Sequence, residues 1–161
     1  MRTTVFFLIL LIPLVGSSIR AESTTTPAMT QEQVVAEIKE LGGTVVRDGT
    51  GPNGAVVEVW VLASRSPKVV TDTQIKHFSE LSHLKTLILT GTAASDAGLE
   101  HLKGLKELQF LGLSDTKVTD AGLEHLAGLA QLQYVDLKGS KVTEAGIKKL
   151  QEALPKCTIN H

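Results

Sequence analysis

Three stretches of this chain, "LKTLILTGTAASDAGLEHLKGL" (84–105), "LQFLGLSDTKVTDAGLEHLAGL" (108–129) and "LQYVDLKGSKVTEAGIKKLQEA" (132–153), align at a constant offset of 24 residues. One period earlier, "VVTDTQIKHFSEL" (69–81) matches the second half of the unit without its glycines, and the last copy runs on into "LPKCTINH". Leu87, Leu111, Val135 and Ile159 keep the spacing, as do Asp72, Asp96, Asp120 and Glu144. A period of this length is the signature of a solenoid: one unit cannot bury its own apolar face, so neighbours must stack to share a core.

Two hydrophobic rhythms alternate inside each unit. "LILTGT" and "FLGLSDT" repeat with period two, as a strand does, whereas "DAGLEHLKGL" sets Leu99 and Leu102 on one helical face. Thr119 or Asp120 is placed to accept backbone N–H groups at a helix start, and Gly104 and Gly128 to take a left-handed helix ending. Gly98, Gly122 and Gly146 fall inside the helices, where glycine costs about 1 kcal/mol against alanine. A repeated cost implies a repeated benefit, and close approach between neighbouring helices is the expectation. Thr92, Thr116 and Ser140 follow each strand, where a hydroxyl can satisfy the backbone of a sharp turn. Parallel strands stack about 4.8 Å apart and helices about 8–10 Å apart, so such a pile must curve. The expected fold is a short curved α/β solenoid with parallel strands on the concave face and helices on the convex face.

The pattern "LxxLxLxxT" followed by "VTDAGLxxL" resembles leucine-rich repeat proteins of the ribonuclease-inhibitor-like type, over about residues 69–161. It is most similar to the T-D-A-G-L repeats of predicted exported bacterial proteins, with a cousin in eukaryotic F-box proteins. The resemblance implies a curved solenoid used for protein–protein interaction, with no shared catalytic residues to carry over; no metal or cofactor is expected. The cousin suggests a ubiquitin-ligase substrate adaptor. Nothing in this chain resembles an F-box, and the N-terminal segment contradicts that setting.

That segment, residues 1–21, reads as a secretory signal peptide: Arg2, an apolar run from Val5 to Val15, then small residues from Gly16 to Ala21. The run is short for a bilayer span. Cleavage after Ala21 or Ser18 is expected, with an uncleaved N-terminal anchor as the alternative. Export places the chain in an oxidising compartment, yet Cys157 is its only cysteine. No internal disulfide can form, so burial must hold the fold, with Cys157 as a small buried hydrophobe.

Residues 22–29 read as a polar linker and 30–68 as an N-terminal cap with the first strand of the sheet. Thr30-x-x-Gln33 is a capping box opening a helix over about 31–41, with Val34, Val35, Ile38 and Leu41 on its buried face and Gly42-Gly43 ending it. "TVVRD" and "AVVEVWVLA" read as two strands around the turn "GTGPNG", the second as the first strand of the sheet, and "ASRSPK" as an insertion before the helical half resumes. A helix-plus-hairpin cap is the expectation; a small separate subdomain is the alternative.

The balance of 16 Lys+Arg against 17 Asp+Glu argues against nucleic acid or an anionic membrane surface as the main partner. A membrane association would require the N-terminal segment to be retained. On the strands, Thr86, Ile88, Thr90, Phe110, Gly112, Ser114, Tyr134, Asp136 and Lys138 point to the concave side. If Val57, Val59 and Val61 face inward, Glu58, Trp60 and Leu62 join them. Phe110 and Tyr134 become cross-strand neighbours. Aromatic side chains on an exposed sheet suit a protein-binding hot spot, or alternatively pack on one another as strand formers.

His77, His101 and His125 form a ladder of the same period. Metal–nitrogen bonds of about 2.1 Å need convergence on one point. Helices about 9 Å apart disfavour it, so a copied helix-flank position is expected. Asp96 and Asp120 read as helix caps, and no phosphate loop, nucleophile elbow or Ser/His/Asp set stands out. The functional expectation is an exported, non-catalytic module that binds a protein partner through Trp60, Thr86, Ile88, Thr90, Phe110, Ser114, Tyr134, Asp136 and Lys138. The competing reading is a structural, self-associating cell-envelope protein.

Overall fold

A computed structural model describes residues 28–49, 54–64 and 69–161. The expected signal segment, most of the polar linker, the tip of the "GTGPNG" turn and residues 65–68 of the "ASRSPK" insertion lie outside the described residues.

The 24-residue period becomes a ladder. Strands β1 (Thr44–Arg47), β2 (Val56–Trp60), β3 (Thr86–Ile88), β4 (Phe110–Gly112), β5 (Tyr134–Asp136) and β6 (Thr158–Asn160) form one open sheet in sequence order. From β2 to β6 every neighbour is parallel, and Val59, Leu87, Leu111, Val135 and Ile159 face one another in register. Helix α1 (Gln31–Glu40) precedes β1, and α2 (Asp72–Phe78), α3 (Asp96–Leu102), α4 (Asp120–Leu123) and α5 (Glu144–Ala153) run between the successive strands from β2 to β6. From α2 onward each lies against the next, so strand and helix stacks rise together. A single core fills the space between them, with Leu87, Leu99, Leu111, Leu126 and Val135 fully buried. This is the α/β solenoid fold of leucine-rich repeat proteins. Cys157 is buried and free, and burial pushes its thiol pKa up, as an inert core residue requires.

The repeated polar residues have a different job from the one expected. Asp96 and Asp120 do not cap their own helices; each reaches forward to the next repeat. Asp72 accepts from the Ser95 backbone N–H (2.9 Å) and hydroxyl (2.6 Å), Asp96 from those of Thr119 (2.8 and 2.7 Å) and Asp120 from those of Thr143 (2.7 and 2.6 Å). Each carboxylate thus clamps the residue that starts the following helix. Two hydrogen bonds from the Thr143 hydroxyl and backbone hold the Asp120 carboxyl below its ordinary pKa.

The helical glycines answer to the same clamp. A Cβ on Gly98 would lie 2.5 Å from Asp72 Oδ1. Gly122 and Gly146 stand in the same relation to Asp96 and Asp120. The close approach expected from the sequence is therefore between a helix and the preceding repeat's carboxylate, which no side chain could share.

Contrary to expectation, the repeat helices do not end on left-handed residues at Gly104 and Gly128, neither of which has positive φ. The left-handed positions are Gly91 (φ 71°), Asp115 (φ 56°) and Gly139 (φ 72°), again one per repeat. Beside them, the buried Thr92 and Thr116 hydroxyls donate to the carbonyls of Leu89 (2.8 Å) and Leu113 (2.7 Å). Ser140, the third member, has its buried hydroxyl without a partner among the described residues.

At the N-terminus, α1 opens with the reciprocal bonds of a capping box, Gln33 N–H to Thr30 Oγ1 and Thr30 N–H to Gln33 Oε1. It ends at Gly42 (φ 72°), with the Gly43 N–H bonded to the Ile38 carbonyl at 2.9 Å. Val34, Val35, Ile38 and Leu41 are buried, as their spacing requires. The hairpin departs from expectation in two ways. The first strand of the sheet is β1, antiparallel to β2, and not the longer "AVVEVWVLA" segment. Val46 and Arg47 pair with Glu58 and Val56, skipping Val57. This bulge slips the alternation: Val56, Val59 and Val61 are buried while Val57 is half-exposed, although Val57 was expected inward.

Candidate functional site

Because successive strand residues point to opposite sides, the buried leucine ladder leaves a second set of rungs facing away from the helices. Register places Glu58, Thr86, Phe110, Tyr134 and Thr158 on one rung, and Trp60, Ile88, Gly112, Asp136 and Asn160 on the next. Beyond the strand ends, Thr90, Ser114 and Lys138 continue the row, with the Gly91 and Asp115 N–H groups bonded to the Ser114 and Lys138 carbonyls at 2.8 Å each. All nine residues singled out in the sequence therefore share one face.

They are not equally available. Trp60 and Phe110 are 43% and 41% exposed, Lys138 is exposed, and Thr86, Ile88, Thr90, Ser114, Tyr134 and Asp136 are half-buried. Gly112 is buried beneath Ile88, whose Cδ1 would sit 2.8 Å from any Cβ added there. Glycine at this point lets Ile88 lie across two strands and joins the apolar surface between Trp60 and Phe110. Phe110 pairs with Tyr134 across β4 and β5; Trp60 stands one rung away and two strands back.

Two polar arrangements are built into the face. The Trp60 indole Nε1–H donates to Glu58 Oε2 at 3.1 Å, tying the ring to its neighbour two residues back. Asp136 is the centre of the other. Partial burial pushes its pKa up, but hydrogen bonds from the Ser114 hydroxyl, the Lys138 backbone N–H (3.2 Å) and Asn160 Nδ2 (2.9 Å), helped by the Lys138 charge, more than offset this. Its carboxylate stays ionised well into acid.

The sequence reading missed both ends of this surface. Thr44 and Val46 on β1 flank Trp60 and Glu58, and Val46 is 43% exposed. Their "TVVR" alternation was visible, but the antiparallel register that sets Thr44 opposite Trp60 and Val46 opposite Glu58 is fixed only when the two strands pair. Thr158 and Asn160 close the other end; Asn160 lies one period after Asp136 and was legible on that ground. Beside Trp60 the face dips into a groove of about 280 Å³ lined by Gly42, Thr44, Val46, Glu58, Trp60 and Leu62.

On the helical side, Glu100, Lys103, Glu124, Lys148 and Lys149 are exposed. Of the histidine ladder, His77 bonds Glu37 of α1 at 2.6 Å, and no group of three or more His, Cys, Asp or Glu is placed to hold a metal among the described residues. No helix among the described residues is long and apolar enough to cross a membrane.

Neither a protein-family model nor a curated protein matches the sequence. Solved structures do. An internalin of Listeria monocytogenes, InlF, shares the fold at TM-score 0.51 with 19% identity, over 80% of this chain and 34% of that one. A leucine-rich repeat protein of Leptospira interrogans aligns at TM-score 0.44 with 24% identity, over 53% of this chain and 21% of that one. The leucine-rich repeat ectodomain of the Arabidopsis thaliana receptor kinase SOBIR1 aligns at TM-score 0.45 with 14% identity, over 80% and 89% of the two chains. This chain thus spans about a third of the internalin and a fifth of the Leptospira protein. The class is settled by the fold: a leucine-rich repeat solenoid.

Proposed function

We propose that this chain is an exported, non-catalytic protein-binding module of the ribonuclease-inhibitor-like type, with T-D-A-G-L repeats like those of exported bacterial proteins. Its sheet face, running from β1 to β6, receives a protein partner. One observation carries the reading: Trp60 and Phe110 stand 43% and 41% exposed on a face whose opposite side is locked by the fully buried Val59, Leu87, Leu111 and Val135. Large apolar groups held in water on a rigid support are what a binding hot spot requires. The half-buried Ile88, Tyr134 and Thr86 extend the contact, and Ser114, Asp136 and Lys138 supply a polar rim.

Capture from an extracellular or periplasmic extract, comparing wild type with a Phe110→Ala/Tyr134→Ala double variant, tests it. Partner retention should fall at least tenfold in the variant; equal retention moves the binding surface elsewhere. The self-associating reading has its own support, since β6 pairs only with β5 among the described residues and leaves a strand edge. Sedimentation separates the two: a concentration-independent monomer removes self-association.

A further inference from the structure

The groove beside Trp60 has a chemistry of its own. Register sets Thr44 opposite Trp60 and Val46 opposite Glu58. The small Thr44 and Gly42 leave room beside the indole, while Val46 and Leu62 provide apolar walls. Glu58 is the only charged residue lining it, and no cation pairs with it among the described residues. One carboxylate oxygen, Oε2, holds the indole N–H, which leaves Oε1 free of any hydrogen bond among the described residues. The groove therefore combines an exposed indole, a carboxylate edge beside it and an apolar rim.

A guanidinium answers all three features at once. It stacks on an aromatic face, donates to a carboxylate from its planar fork, and is less strongly hydrated than an ammonium when taken out of water. The volume of about 280 Å³ falls at or below the range of roughly 300–1,000 Å³ usual for drug-sized ligands, which suits a single inserted side chain. We propose that the groove formed by Trp60, Glu58, Val46 and Thr44 accepts an arginine side chain of the protein partner. This deepens the concave-face reading and rests on it.

Trp60 is the only tryptophan of the chain, so its indole N–H cross-peak and its fluorescence report on the groove without labelling. The probes are a capped Ala-Arg-Ala peptide and the same peptide with citrulline, which keeps the shape and lacks the charge. The full chain should show a saturable shift of the Trp60 signal with the arginine peptide, at least tenfold weaker with citrulline. Glu58→Gln, whose side-chain oxygen can still accept the indole N–H, should weaken arginine binding by a similar factor. No saturable response, an equal response to citrulline, or an unchanged response in Glu58→Gln overturns the proposal. A response to free arginine as strong as to the capped peptide overturns the partner assignment and points to a small metabolite. Partner capture lost in Phe110→Ala/Tyr134→Ala but unaffected by Glu58→Gln would remove the arginine assignment alone and leave the concave-face reading standing.

Discussion

The N-terminal cap and the repeats solve the same problem, closing a strand onto a helix, with different parts. In the repeats the joint is copied: an aspartate clamps the next helix start, a glycine makes room for it, and a left-handed residue turns the chain after each strand. In the cap every joint is used once. Gln31 of α1 reaches the Gly54 carbonyl (3.2 Å) and the Val56 N–H (3.0 Å), Arg47 bridges to Glu32 (2.9 Å) and to the Gly54 carbonyl (2.9 Å), and a bulge between Val46 and Arg47 shifts the register. Repetition makes each joint cheap to read and tolerant of reuse. The cap is where unique chemistry accumulates, and the groove beside Trp60 lies against it.

Experiments can break this contrast. The largest effect is expected from Leu111→Ala, which removes a fully buried rung between Leu87 and Val135. Urea unfolding should show a loss of about 2–5 kcal/mol. A loss below about 1 kcal/mol would mean that the rungs are not one continuous core.

Gly122→Ala comes next, and its sign is the test. Helix propensity alone predicts a gain of about 1 kcal/mol. Collision of the new Cβ with Asp96 predicts a net loss of about 1–3 kcal/mol, as for an overpacked core. Combined with Asp96→Ala, the loss should be smaller than the sum of the two single changes, because the clamp and the glycine share one space. A stabilised Gly122→Ala would dismiss the clamp as the reason for the glycine.

The joint between cap and first repeat should be weaker. Glu37→Gln, which removes the charge facing His77, should cost on the order of 0.5 kcal/mol in thermal unfolding. A much larger loss would mean that this pair, beyond the shared core, holds the cap to the first repeat.

The smallest effect concerns acid. The Asp120 carboxyl has a folded-state pKa below its ordinary 3.8, so its contribution is present above that value and is lost as pH falls through the lower folded one. Asp120→Asn should therefore flatten the stability profile below about pH 4 and leave its shape near neutrality unchanged. An unaltered acid limb would show that the Thr143 bonds carry no linkage. Because the group is solvent-exposed, the change is expected to be slight.

Much of the fold was legible because a repeat multiplies weak signals. A single Leu-x-Leu run is ambiguous, but Leu87, Leu111, Val135 and Ile159 at one spacing leave only a stacked register. The capping box at Thr30 and Gln33 was readable because it is local. Val57 was misplaced for the opposite reason: a bulge depends on how two strands meet, and no neighbour of Val57 in the chain announces it. The role of Asp96 was misread because helix capping and an inter-repeat clamp demand the same residue type at the same place. The face bearing Trp60, Phe110 and Tyr134 followed from alternation alone; its extension onto Thr44 and Val46, and the burial of Gly112 beneath Ile88, did not.

Periodicity by itself determined the stacking of units, the buried face and the side on which the remaining side chains stand, because side-chain direction follows backbone geometry within a few residues. Tertiary structure decided what those side chains do once there. Which carboxylate meets which hydroxyl, where a glycine yields its space, and how Thr44 and Val46 come to rest beside Trp60 and Glu58 depend on groups at least a strand apart. Their contact is fixed only when β1 pairs with β2 and each repeat settles on the one before it.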